Sequence, residues 1–192
     1  CRALSQLGID RADVLILGWW NAAPPARILD AAIALREKGY VRHLALSTHE
    51  RPLIPQLAEG GPVDIFHVRY NAAHRGAESE VFPKLAPDRA ARPGVVAFTA
   101  TRWGTLLKPV AGEAAGRLPT AGDCYRFVLT NPAVDLVLAG ARSREDIRLA
   151  LDAVARGPMD EEELKWIRAH GDRVRAESKR GLLTRLFLPT EP

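Results

Sequence analysis

The sequence is short of most features that announce a function. Its two cysteines, Cys1 and Cys124, can build neither a disulfide framework nor a metal cluster, and they favour a reducing, cytoplasmic setting. Its histidines and acidic residues show no zinc-ligand spacing, so no metal site is expected, and no Ser-His-Asp order stands out. No apolar run approaches the roughly 20 residues that cross a bilayer, which excludes a transmembrane helix. Lysine is scarce (Lys38, Lys84, Lys108, Lys165 and Lys179). The 27 basic residues are scattered among 23 acidic ones, without the concentrated stripe that a nucleic acid requires. No G-x-G-x-x-G follows the first predicted strand, so nothing marks a Rossmann site. An initiator Met is also lacking, and the helical opening "CRALSQLGID" leads us to expect sequence upstream.

What is present reads as an ordinary globular chain, 47% hydrophobic and 26% charged, long enough for one domain with a real core. Short β-branched runs alternate with helical periods, the pattern of βα units on a parallel sheet. Strands are predicted over Val14–Leu17, Val41–Leu46, Val63–Val68, Val95–Phe98 and Val134–Ala139. The stretch "PARILDAAIALREKG" places Ile28, Ala31, Ala32 and Leu35 on one helical face, with Gly39 as its stop. Capping boxes are expected at Thr120/Asp123, Ser143/Asp146 and Asp160/Glu163. Residues 157–192 read as a C-terminal helix followed by a short apolar tail, within a single domain over 1–192. Five βα units permit an open doubly wound sheet or part of a (β/α)₈ barrel, and a barrel gathers its function at the carboxyl ends of its strands.

Five blocks sharpen the choice. "LSQLGIDRADVLIL", "ALREKGYVRHLALS", "DIFHVRYNAAHRGAE", "GVVAFTATRWGTLL" and "VDLVLAGARSREDI" resemble the aldo-keto reductases in order and approximate spacing. The resemblance runs to about residue 156. It implies an α/β fold, a (β/α)₈ TIM barrel of the aldo-keto reductase type, represented here by about five βα units plus a C-terminal helix. It also implies an oxidoreductase passing hydride from NADPH to a small aldehyde or ketone. The family's Asp, Tyr and Lys would lie upstream. Its catalytic His stands five residues after the Asp matched by Asp13, and that position is Gly18, at the tip of "VLILGWWN". Acid-base groups contribute about 10²–10⁴-fold to such a step, so the chain by itself offers no catalytic set. Trp19 and Trp20 either wall a pocket or pack at a strand end.

On the cofactor side the resemblance implies that Ser47 and Thr48 meet the nicotinamide carboxamide, with His67 where the family has Gln and Phe98 as the ring-stacking aromatic. In "IFHVR", Ile65, His67 and Arg69 face the barrel interior while Phe66 and Val68 face the helices. Thr99 and Arg102 lie in the pyrophosphate loop "TATRWG", and Gly140, Arg142 and Ser143 open the last barrel helix as an anion site suited to the 2′-phosphate of NADP. Asp146 and Ala150 depart from the family's Gln and Asn there. In "NAAHRGAE", His74 orders a loop and Arg75 meets a carboxylate or carbonyl; His49 and His170 are structural or solvated. Tyr40, Lys38 and His43 fall at the amino-terminal face, away from chemistry. The alternatives are a non-catalytic nucleotide-binding or partner-binding module, and an open-sheet protein complete at this length.

Overall fold

The computed structural model describes residues 2–110 and 116–187, with side chains described through residue 179. The apolar tail expected over 181–192 lies outside the described side chains, as does Cys1. The elements are α1 (Arg2–Leu7), β1 (Ala12–Trp19), α2 (Ala26–Glu37), β2 (Val41–Thr48), α3 (Leu53–Ala58) and β3 (Ile65–Arg69). Then come α4 (Ala77–Glu80), β4 (Gly94–Phe98), α5 (Ala121–Thr130), β5 (Leu136–Val137), α6 (Arg144–Arg156) and α7 (Glu161–Phe187). The fold is α/β: five strands hydrogen-bond in chain order β1-β2-β3-β4-β5, and the sheet is open rather than closed into a barrel. The chain divides into two compact units. Unit 1 comprises Cys1–Arg69, Gly76–Ala97 and Ala133–Leu136; unit 2 comprises Tyr70–Arg75, Phe98–Pro132 and Val137–Pro192.

Unit 1 holds the parallel ladder. Val41 faces Ala12 and Leu44 faces Leu15 across β1 and β2, while Ala45 to Thr48 pair with Ile65 to Val68 across β2 and β3. Leu44, Ala45 and Leu46 are fully buried in succession, as expected of a strand covered on both faces. In β3, Phe66 and Val68 are fully buried while Ile65, His67 and Arg69 are only half so, the predicted alternation. On α2 the packed stripe is centred on Ala32, with Leu35 and Ile33 against Leu15, Leu17 and Leu44. Ala31, expected on that face, is exposed, because one residue turns about 100° around the helix from Ala32. After residue 77 the chain makes a single helical turn followed by 3₁₀ turns at Phe82–Lys84 and Arg89–Ala91, because Pro83 and Pro87 cannot continue a helix.

Two carboxylates pin the amino-terminal ends of the strands in the same manner. Asp64 donates its N–H to the Leu44 carbonyl at 2.9 Å, and its Oδ2 accepts the Leu44 N–H at 2.8 Å, with Arg36 alongside at 3.3 Å. Asp135 repeats this on Val95, at 2.9 and 2.8 Å, and is gripped by both arms of Arg92 and by Arg89. His43 sits beside Asp64, and Tyr40 lends its carbonyl to the Ala12 N–H, so both belong to this structural end as expected.

Unit 2 is built on α5, α6 and α7. All three predicted capping boxes form: Thr120 with Asp123, Ser143 with Asp146, and Asp160 with Glu163. Arg126 forks onto Glu163 and onto the carbonyls of Gly157 and Pro158, tying α5 to the start of α7. The loop Tyr70–Arg75 docks on α7. Arg75 donates to Asp172 and to the Arg168 carbonyl, Tyr70 packs on Phe127 at 5.4 Å, and buried His170 contacts the Leu106 carbonyl at 3.0 Å. Arg75 therefore meets both a carboxylate and a carbonyl, and His170 is structural. Burial and neighbouring Asp123 push the Cys124 thiol up to about 12, which leaves it inert.

Two outcomes follow from this packing. A Cβ on Gly171 would lie 2.3 Å from the Ala72 carbonyl oxygen, whereas one on Gly140 meets nothing within 4 Å. Gly171→Ala should therefore cost about 1–3 kcal/mol in urea unfolding and Gly140→Ala much less; equal losses would refute the close approach. Hydrogen bonding by Arg126, opposed by burial, holds the Glu163 carboxyl down to about 2. A carboxylate depressed in this way stabilises the fold above the unfolded value of about 4.3 and loses that contribution as pH falls through the folded value. Glu163→Gln should thus flatten the acid limb of the stability profile between about pH 4.5 and pH 2, read as urea midpoints.

Candidate functional site

The carboxyl ends of the strands in unit 1 carry a short polar row. Trp19, Ser47 and His67 are register partners on β1, β2 and β3, so neighbours stand about 4.8 Å apart along the row. Ser47 and His67 are both half-buried, and burial holds the His67 imidazole below its ordinary range, neutral at pH 7. Thr48 points the other way: it is buried, and its hydroxyl accepts the Glu50 N–H at 2.9 Å, closing the turn after β2. Trp19 is 57% exposed and meets His49 edge-on at 5.3 Å, so it does not pack in the core. Burial, then the charge of Arg69, lowers the His49 pKa.

The vacant tip of β1 is more than a missing side chain. The register shifts between Ile16 and Trp19, and Gly18 in that break has φ +95°. The Trp20 indole donates to the Leu17 carbonyl at 2.8 Å and its backbone N–H to the Ser47 carbonyl at 3.0 Å, locking the break. A Cβ on Gly18 has room, its nearest neighbour being 3.9 Å away; the obstacle is the left-handed backbone. Gly18→His should therefore lose about 1–2 kcal/mol of stability without creating reductase activity. A stable, active variant would show that only the imidazole was wanting.

Unit 2 contains a cavity of about 620 Å³, within the range of small-molecule sites. Phe98, at the end of β4, and Thr99 line it, together with Gly140 and Arg142 from the approach to α6. Trp103, Leu107, Tyr125, Leu138 and Asp146 complete much of the wall. Of these, sequence reasoning had singled out only Asp146; Trp103 lay in the quoted loop, and Tyr125 on α5 carries no local signal. Thr99, Arg102 and Trp103 adopt φ of 61°, 52° and 53°, a cluster of strained non-glycine residues of the kind found at ligand-binding loops.

Ser47, Thr48 and His67, which lie in unit 1, do not line it, and two residues expected in unit 2 also stand outside this wall. The Arg102 guanidinium donates to the Val174 carbonyl at 3.2 Å, and the Ser143 hydroxyl accepts the Asp146 N–H at 3.1 Å as the helix cap. The Asp146 Oδ2 in turn accepts the N–H groups of Arg142 at 2.8 Å and Ser143 at 3.0 Å. Those hydrogen bonds hold the Asp146 carboxyl below the usual carboxylate range, so it is charged at neutral pH. Among the described residues no group of His, Cys, Asp and Glu could hold a metal ion, and no helix is long and apolar enough to cross a membrane.

An open, five-stranded parallel α/β sheet is the architecture of a barrel segment. Aldo-keto reductases are among the solved structures that match this fold. The holo form of AKR11C1 from Bacillus halodurans matches with a TM-score of 0.69 and 21% identity, covering 90% of this chain and 64% of that one. Its apo form matches at 0.67 and 22%, covering 90% and 65%. A thermostable aldo-keto reductase, Tm1743, in complex with the inhibitor epalrestat, matches at 0.62 and 20%, covering 87% and 62%. The chain has the fold of part of the aldo-keto reductase barrel. It spans less than two thirds of the length of these structures. No protein-family model matches the sequence, and no curated protein matches it either.

Proposed function

We propose that the protein containing this chain is an aldo-keto reductase-like oxidoreductase that reduces a small aldehyde or ketone. In this reading the chain supplies dinucleotide-binding residues of a single partial-barrel domain. In unit 2, Phe98, Thr99, Gly140 and Arg142 meet the dinucleotide, with Arg102 and Ser143 anchoring the loop and helix start that carry them; in unit 1, Ser47 and His67 present groups suited to the carboxamide, with Thr48 closing the turn beside them. The resemblance in sequence names NADPH as the cofactor, and a bound nicotinamide dinucleotide supplies the hydride. The observation that carries the reading is the unit 2 cavity, whose wall includes Phe98, Thr99, Gly140 and Arg142. An aromatic face beside an arginine fork suits a ring joined to a diphosphate. Neutral His67 beside Ser47 suits an uncharged amide better than an ion.

Gly18 supports a second reading. A left-handed glycine in the catalytic His position fits a non-catalytic nucleotide-binding module. Both readings expect the 192-residue chain to bind a reduced dinucleotide and to turn over no carbonyl. Turnover by the chain alone, followed through nicotinamide absorbance with short aldehydes, would overturn both. In a longer protein that includes upstream strands, turnover selects the oxidoreductase, whereas binding without turnover selects the module.

A further inference from the structure

We infer that Arg69, at the carboxyl end of β3, is a subsite for a carboxylate, so that the carbonyl compound taken by the protein carries an acid group, as a short oxo acid does. The inference rests on the oxidoreductase reading above. Arg69 stands two residues beyond His67 on the same face of β3, and so about 6.6 Å further along the strand. A carbonyl that receives hydride must lie against the nicotinamide. With the carboxamide placed at Ser47 and His67, the next side chain outward on β3 is the one that meets the rest of the substrate. That side chain is Arg69.

Arg69 is an unused cation. Its Nε is buried without a hydrogen-bond partner, and among the described residues no acid pairs with its guanidinium. The residue is only half-buried, which leaves part of it open to a ligand. Its neighbour Arg51 is committed: Nη2 donates to Glu80 Oε1 at 2.8 Å. The Arg51 guanidinium also packs so closely on Gly76 that a Cβ there would lie 2.6 Å from its Cζ. Burial, then the charge of Arg51, lowers the Arg69 pKa, as expected for a desolvated cation beside a like charge. Burial also lowers the pKa values of His49 and His67, so both rings are neutral at pH 7. Two arginines and Glu80 therefore leave one net positive charge; Glu50, which His49 senses, is exposed and screened by solvent. One positive charge balances a carboxylate but not a phosphate dianion. A guanidinium fork also takes both oxygens of a carboxylate through parallel N–H···O bonds. Exposed Trp19, edge-on to His49, offers apolar surface to a short carbon chain.

The test is calorimetric titration of the 192-residue chain, with NADPH present, using 4-oxobutanoate, its methyl ester and inorganic phosphate. Wild type should bind the acid about tenfold more tightly than the ester or phosphate. Arg69→Gln should lower affinity for the acid about tenfold and leave the ester and NADPH within about twofold. Arg69→Lys keeps the charge without the fork and should retain part of the preference. Because the fold makes no ion pair with Arg69, neither variant should lower the urea midpoint; a fall in both would make Arg69 structural and overturn the inference. Equal binding of acid and ester, an unchanged preference in Arg69→Gln, phosphate bound as tightly as the acid, or NADPH affinity lost with the side chain would overturn it too, with the oxidoreductase reading left standing. Acid bound through Arg69 without any binding of NADPH would instead overturn that reading and keep the carboxylate site.

Discussion

The pairing of Asp64 with Leu44 and of Asp135 with Val95 governs where everything else in unit 1 falls. Parallel strands carry evenly spaced, slanted hydrogen bonds that do not by themselves select one register, and a slip of one residue would turn every side chain to the opposite face. Each aspartate closes a two-point contact at the start of its strand, its backbone donating and its carboxylate accepting, and an arginine (Arg36 or Arg92) balances the charge. With the amino-terminal ends fixed in this way, Ser47 necessarily stands opposite His67 at the other end. The candidate polar row is a consequence of register, imposed several residues away.

Unit 2 solves a different problem, that of holding a strained loop. Thr99, Arg102 and Trp103 sit in backbone conformations that cost free energy, and such conformations persist only where surrounding structure over-determines them. Arg102 is tied to the Val174 carbonyl, and the Asn71 side chain donates to the Thr99 carbonyl at 2.9 Å. Asn71 itself is held because the loop Tyr70–Arg75 docks on α7, where Gly171 permits backbone contact. The block "YNAAHR" thus acts on the loop beside the cavity without touching a ligand. Arg102, which charge alone would assign to a phosphate, serves as an anchor.

Much of the architecture was legible in the residues. Alternation of period 2 and period 3.6 located the strands and principal helices, and the three capping boxes formed where Ser, Thr or Asp precedes an acidic residue by three. These are local effects, decided within a few residues of chain. Phe98, Thr99, Gly140 and Arg142 were named through the resemblance in sequence, and local signals supplied only the strand end and helix start that carry them. Tyr125 and Leu138 were not: nothing within α5 or after β5 indicates that they share a wall, since only packing brings them together.

The sequence by itself determined the α/β class, the order of its units and the absence of an imidazole at position 18, because each depends on residue type and short-range spacing. Tertiary structure alone decided which polar groups are available. Thr48 and Ser143 were named as ligand contacts, but folding gives their hydroxyls to the Glu50 and Asp146 N–H groups. Asp146, legible as a misplaced charge, became the occupant of two backbone donors. Gly18 was readable as an omission, yet its left-handed backbone follows only from the register break beside β2. The physical reason is common to all: a hydrogen-bonding group has limited capacity, and which partner takes it is settled by the atoms that folding brings within about 3 Å.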